Sequence, residues 1–85
     1  MRHSAFEHWA SKHGGLKAES ARSYVSYLAT VEEDYSIDLD ADWESTNLAR
    51  ARSLLERDRS LNGSTQRNRL SALNKYKDFC SAAGG

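Results

Sequence analysis

Hydrophobic residues recur along this chain at the three- and four-residue spacing of amphipathic α-helices. A first helix is predicted from Ser4 to Lys12, with Ser4 as its N-cap, Phe6 and Trp9 inward and an exit at Gly14 and Gly15. A second helix is predicted over residues 18–35. Its apolar positions fall within about 120° of one another, the width of a core-facing stripe. They are Ala21, Tyr24, Val25, Leu28, Val31 and Tyr35.

Two more helices are predicted in the second half of the chain. The third begins at a Ser45–Thr46 cap and runs to about Asp58, after which Asn62 and Gly63 indicate a turn. Its inward positions are Leu48, Ala51, Leu54 and Leu55. The fourth begins at a Ser64 cap and buries Leu70, Ala72, Leu73, Tyr76, Phe79 and Cys80.

Residues 37–44 alternate strictly between apolar and acidic residues, a period typical of a β-strand. Since no second strand-like run is present and a lone strand is unstable, we interpret the segment as an extended acidic connector. We expect Ile37, Leu39 and Trp43 to enter the core, and we expect water to surround Asp38, Asp40, Asp42 and Glu44. The predicted fold is an all-α, compact four-helix domain over residues 1–80, with residues 81–85 as a flexible tail or the start of a linker.

Composition excludes several classes of function. The 85 residues include no proline and 39% hydrophobic residues, which is typical of one small folded domain. No apolar run approaches the roughly 18 residues of a membrane span, so we expect no membrane partner. The single cysteine, Cys80, favours a reducing, cytoplasmic location.

Catalytic and metal-binding patterns are missing from the sequence. His3, His8 and His13 recur every five residues and cannot converge on one ion, and the acidic segment lacks the glycine of a calcium loop. There is no glycine-rich phosphate loop, nucleophile elbow or thiol pair. We therefore expect no cofactor, no metal, no small-molecule substrate and no enzymatic activity.

Charge is divided unequally along the chain although its net value is zero. Residues 1–44 carry four basic and nine acidic side chains, whereas residues 45–85 carry eight basic and three acidic ones. The outward face of the fourth helix includes Arg67, Asn68, Asn74, Lys75 and Lys77. Arg and Lys neutralise phosphates and Asn pairs with adenine edges, so this face fits nucleic acid, although a solvated polar face has the same composition.

The order of motifs resembles a known family. Phe6-x-x-Trp9 precedes Leu16-Lys-Ala-Glu-Ser20-x-x-x-Tyr24-x-x-x-Leu28, and the chain ends with Gly63-Ser64-Thr65-x-x-x-Arg69-Leu70-Ser71-Ala72-Leu73-x-x-Tyr76-x-x-Phe79-Cys80. Over residues 4–80 this is similar to the N-terminal core-binding domain of tyrosine recombinases and phage integrases, a SAM-like bundle of four helices. It departs from the family at Lys17-Ala18-Glu19-Ser20, where Ser-Pro-x-Thr is common, and it lacks the catalytic domain.

The resemblance implies a non-catalytic module that forms half of a clamp on double-stranded DNA. It would support a recombinase, an integrase or another DNA-processing enzyme, with other protomers or a downstream catalytic domain as further partners. In such domains the start of the second helix and the outer face of the fourth approach DNA, which here nominates Lys17, Arg22, Ser23, Ser26, Thr65, Gln66, Arg67, Asn74 and Lys75. The alternative is a protein-interaction module of the same fold that uses the acidic residues 32–44.

Overall fold

The computed structural model describes residues 1–83, and this part of the chain is all-helical, as predicted, with no strand. It has five helices where four were expected. Gly84 and Gly85, the end of the expected tail, lie outside the described residues, whereas Ser81 and Ala82 continue the last helix. The helices are α1 (His3–Lys12), α2 (Ala18–Tyr35), α3 (Leu39–Thr46), α4 (Ala49–Arg57) and α5 (Gly63–Ala82).

The predicted extended connector is wrong, because residues 39–46 form helix α3. The side chain of Asp38 caps this helix by accepting hydrogen bonds from the amides of Asp40 (2.9 Å) and Ala41 (3.4 Å). The alternating pattern also places Leu39 and Trp43 four residues apart, which puts them on one face of a helix. Leu39 is fully buried and Trp43 packs against the core, so the expected inward side chains are correct even though the backbone is not.

The predicted Ser45–Thr46 cap is also wrong, since both residues lie in the last turn of α3. The chain reverses at Asn47 and Leu48, which adopt left-handed φ angles of 56° and 68°. Such a conformation costs about 1–2 kcal/mol for a residue other than glycine. Leu48 is 2% exposed, and the burial of its side chain offsets this cost.

The other helix ends differ from the sequence prediction by one or two residues. Helix α1 starts at His3 without a side-chain cap, so Ser4 is not its N-cap. Helix α5 starts at Gly63, and Asn62 rather than Ser64 is its cap, accepting the Thr65 amide at 2.8 Å. The predicted exit of α1 is confirmed by a left-handed Gly15.

An aromatic cluster fixes α1 to the C-terminal half of α5. Phe6 lies with its ring centroid 5.2 Å from that of Tyr76 and 5.7 Å from that of Phe79, and Trp9 lies 5.7 Å from Phe79. Most of the predicted inward positions are buried. Eight are only partly buried: Trp9, Tyr24, Val25, Tyr35, Ile37, Trp43, Leu54 and Leu70. In residues 1–83 no helix combines the length and apolarity needed to cross a membrane.

Candidate nucleic-acid interface

The predicted residues at the start of the second helix lie together on the surface. Lys17 directly precedes α2, and its side chain and those of Arg22, Ser23 and Ser26 are exposed. The last three line one shallow depression, which Glu19 shares. We call Lys17, Arg22, Ser23 and Ser26 the α2 face; within residues 1–83 neither of its cations forms an ion pair.

The predicted residues of the last helix fall into two groups. Arg67 and Asn74 are exposed on α5 and Thr65 is half-buried in its first turn. Arg67 has no carboxylate within 4.0 Å in the described part of the chain. Arg67 is therefore available to a phosphate, whereas the side chains of Gln66 and Lys75 form hydrogen bonds to backbone carbonyls of the protein.

Gln66 closes the C-terminal end of α4. Its Nε2 donates hydrogen bonds to the carbonyl oxygens of Leu55 (2.8 Å) and Glu56 (3.2 Å). The last carbonyls of a helix have no partner within the helix, so these two bonds satisfy groups that α4 itself leaves open. The expected contact between Gln66 and DNA competes with this role.

Lys75 is half-buried and joins α5 to the loop between α1 and α2. Its Nζ donates a hydrogen bond to the carbonyl oxygen of Gly14 at 3.0 Å. The position of the ammonium is therefore fixed by the backbone of this loop and not by the outer surface. Spacing along a helix cannot detect this contact, because Gly14 lies 61 residues away in the sequence.

Arg69 falls in the apolar stripe of α5, and the structure explains why it is tolerated there. Its guanidinium lies 3.0 Å from a carboxylate oxygen of Asp34 at the end of α2, and its side chain is only 14% exposed. The aliphatic part of the side chain covers apolar surface while the charge reaches the edge of the core. This arginine joins two helices and is not a candidate for DNA contact.

Asn74 accepts a hydrogen bond from Arg52 of α4, a residue that the sequence did not nominate. Arg52, Asn74 and Lys77 line one cavity of about 180 Å³ between the start of α4 and the middle of α5, which we call the α4–α5 cavity. Within residues 1–83 no carboxylate lies within 4.0 Å of Arg52 or Lys77. Sequence spacing missed Arg52 because its relation to α5 depends on how the two helices pack.

The acidic segment is largely occupied by contacts within the protein. Glu32 accepts hydrogen bonds from the α-ammonium of Met1 (3.1 Å) and from the Leu39 amide (2.9 Å). Asp38 and Asp40 lie 3.7 Å and 3.8 Å from the same ammonium, and Asp40 also accepts from Tyr76 and Arg2. The expectation that Asp40 is simply solvated is therefore wrong.

Asp42 was expected in water, but it is only 6% exposed. One carboxylate oxygen accepts a hydrogen bond from the Ala51 amide at 3.0 Å, and the other accepts from the Thr46 hydroxyl at 2.9 Å. Thr46 in turn accepts from the Arg50 amide. Because Leu48 offers no side-chain cap, Asp42 and Thr46 satisfy the first amides of α4 from the neighbouring helix.

These contacts change the acidity of several groups. Burial acts against the charge of the Met1 ammonium, but its hydrogen bond to Glu32 and the charges of Glu32, Asp40 and Asp38 raise its pKa above the usual value. Burial and then the hydrogen bond to Asp58 raise the pKa of Tyr35 to about 12. The same causes, with Asp40 as the acceptor, raise the pKa of Tyr76.

Comparison of the chain with protein-family models, with curated proteins and with solved structures gives no match in any of the three. The resemblance to recombinase core-binding domains therefore stays a prediction from the sequence motifs.

Proposed function

We propose that this domain is a non-catalytic DNA-binding module that holds one side of a duplex for a recombinase, an integrase or another DNA-processing enzyme. The proposal includes a SAM-like arrangement of the helices, in which α3 is an addition to the expected four. It also keeps the expected cytoplasmic location, which the free thiol of the buried Cys80 favours. A second protomer or a catalytic domain would supply the other half of the clamp.

One observation carries the proposal: within residues 1–83 most cations have no carboxylate partner, whereas five of the six aspartates bind groups within the protein. Of the Lys and Arg side chains in residues 1–83, only Arg2 and Arg69 form an ion pair within 4.0 Å. By contrast, every aspartate except Asp78 accepts a hydrogen bond from the protein. Lys17, Arg22 and Arg67 on the predicted DNA side therefore keep positive charges that no carboxylate of residues 1–83 pairs with within 4.0 Å, as binding to phosphate requires.

The same observation weakens the alternative, a protein-interaction surface on residues 32–44. Within that segment Glu32, Asp34, Asp38, Asp40 and Asp42 already bind the N-terminal ammonium, arginine side chains, hydroxyls or backbone amides. A basic partner would have to displace those contacts. Glu33 and Glu44 remain exposed, and two carboxylates make a weak site for such a partner.

The test compares two double variants with the same change in charge. Arg22→Gln with Arg67→Gln removes two of the three exposed cations on the predicted DNA side, and Lys12→Gln with Arg59→Gln removes two exposed cations elsewhere. Binding to a fluorescent short duplex is followed by anisotropy across a series of salt concentrations. We expect the first variant to reduce the dependence of log affinity on log salt by about two units, because each phosphate contact contributes about one.

The control variant should keep the salt dependence of the unmodified protein. If both variants lose the same salt dependence of duplex affinity, only total charge matters, and the proposed DNA-binding face is wrong. No binding by the unmodified domain at the lowest salt would overturn the proposed function.

A further inference from the structure

We infer that the α4–α5 cavity is a phosphate-binding site, and that in the proposed complex it holds one phosphate of the DNA backbone. The inference rests on the proposed function for the identity of the ligand, but it adds a site that the sequence did not predict. It assigns Arg52 of α4 a direct contact, together with Asn74 and Lys77 of α5.

The chemistry of the cavity walls favours an anion. Arg52 is half-buried, and the hydrogen-bond acceptor that holds it is the neutral amide oxygen of Asn74. The guanidinium has five N–H donors, so this single bond orients the group and leaves others unused. Lys77, exposed one helical turn after Leu73, places a second positive charge at the same opening. Two uncompensated cations that share a concave site attract a multiply charged oxyanion more strongly than either does alone.

The absence of competing carboxylates distinguishes this cavity from its neighbours. Its wall, within the described residues, contains no Asp or Glu. Four other depressions of the surface each include at least one carboxylate, among them the depression on the α2 face, which includes Glu19. Asp42, which bonds to Thr46 of the cavity wall, is buried and also binds the Ala51 amide, so its charge is directed toward the backbone of α4.

The volume of the α4–α5 cavity and its apolar floor fit a sugar phosphate better than a complete cofactor. The volume of about 180 Å³ is below the range of about 300–1,000 Å³ that is usual for sites of drug-sized ligands. Leu48 and Leu73 give the cavity an apolar floor, against which the carbon atoms of a deoxyribose can pack. The phosphate would then lie at the rim, between Arg52 and Lys77.

The test uses isotope-labelled domain, titrated first with inorganic phosphate and then with a short duplex, with every backbone amide followed by NMR. We expect phosphate to shift amides near residues 47–52 and 73–77. In Arg52→Gln with Lys77→Gln the affinity for phosphate should fall about tenfold, the usual loss for a charge-assisted hydrogen bond. The control, Lys12→Gln with Arg59→Gln, carries the same change in charge and should bind phosphate as before.

Folding is checked separately, because Arg52 bonds to Asn74. Lys77→Gln alone alters an exposed side chain that has no hydrogen bond within residues 1–83, and it should still weaken phosphate binding by about threefold. A Lys77→Gln variant that binds phosphate as well as the unmodified protein does would overturn the site.

The two ligands separate this inference from the proposed function. Duplex binding that leaves amides 47–52 and 73–77 unshifted, and that survives in the double variant, overturns the cavity and leaves the DNA module intact. Phosphate binding in the cavity without duplex binding supports the site and overturns the DNA function. Shifts in the same amides with both ligands support both.

Discussion

The carboxylate of Asp42 lies beneath the first turn of α4 and accepts hydrogen bonds from Ala51 and Thr46. A run of alternating acidic residues is ordinarily a solvated surface, yet here one member of it is 6% exposed. The cause is local: the left-handed Leu48 cannot cap α4, so the amides of that helix need an acceptor from outside.

We expect Asp42→Ala to lower the free energy of unfolding by about 1–3 kcal/mol, because it leaves the buried amide of Ala51 without an acceptor. Denaturant unfolding measures the loss. Asp78→Ala is the matched control, since Asp78 is exposed and makes no hydrogen bond within residues 1–83, and it should stay within about 0.5 kcal/mol of the unmodified protein. An equally small effect of Asp42→Ala would contradict the capping role.

Helix α4 depends on its neighbours at both ends. Asp42 of α3 satisfies its first turn, and Gln66 of α5 binds the carbonyls of Leu55 and Glu56 at its last turn. With nine residues it is shorter than an isolated helix that is stable in water. These contacts, together with the burial of Ala51 and Leu55, hold it in place.

Gln66 and Arg67 are adjacent in the sequence, yet we expect their substitutions to have opposite effects. Gln66→Ala should reduce stability by about 1 kcal/mol, the typical net value of a hydrogen bond, and leave duplex affinity unchanged. Arg67→Ala should leave stability within about 0.5 kcal/mol and weaken duplex binding. Thermal unfolding and duplex titration of both variants check this. Loss of affinity in a fully stable Gln66→Ala protein would return Gln66 to the DNA interface.

Periodicity predicted the two long helices well. Helices α2 and α5 each repeat the pattern over four or more turns, and their bounds differ little from the prediction. Helix α3 was missed because eight residues hold too few repeats to separate a helical pair, Leu39 and Trp43, from a strand-like alternation.

For the candidate site, helical periodicity predicts which side chains are exposed but not which contacts they make. Exposure of Arg22, Ser23 and Arg67 follows from their place opposite the apolar stripe. The contacts of Gln66 and Lys75 do not, because these long side chains reach groups on other parts of the fold.

In the whole molecule, the N-terminal ammonium gathers three carboxylates within 4.0 Å. Glu32, Asp38 and Asp40 surround Met1, and Asp40 links this cluster to Tyr76 in the core. At the other end of the acidic segment, the Asp42 carboxylate caps the first turn of α4. Outside this cluster, exposed cations on α2, α4 and α5 have no carboxylate within 4.0 Å in residues 1–83.

This arrangement predicts loss of stability in alkali. The Met1 ammonium, Tyr35 and Tyr76 all have a raised pKa in the folded protein. A group of this kind contributes its full stability below its unfolded pKa, about 8 for the amine and about 10 for tyrosine, and loses it as pH rises through the folded value. The free energy of unfolding should therefore fall from about pH 8 upward. Tyr35→Phe should flatten the part of the decline between about pH 10 and the Tyr35 pKa of about 12. Stability that rises over this range would contradict the assignment.

The central claim, that the outward cations form a DNA-binding surface, is tested most directly by titrating the labelled domain with a short duplex at low salt and mapping every amide shift by NMR. We expect shifts in residues 17–26, 47–52 and 65–77 that disappear as salt is added. A folded domain with no shifts, or with shifts confined to the acidic residues 32–44, would contradict it.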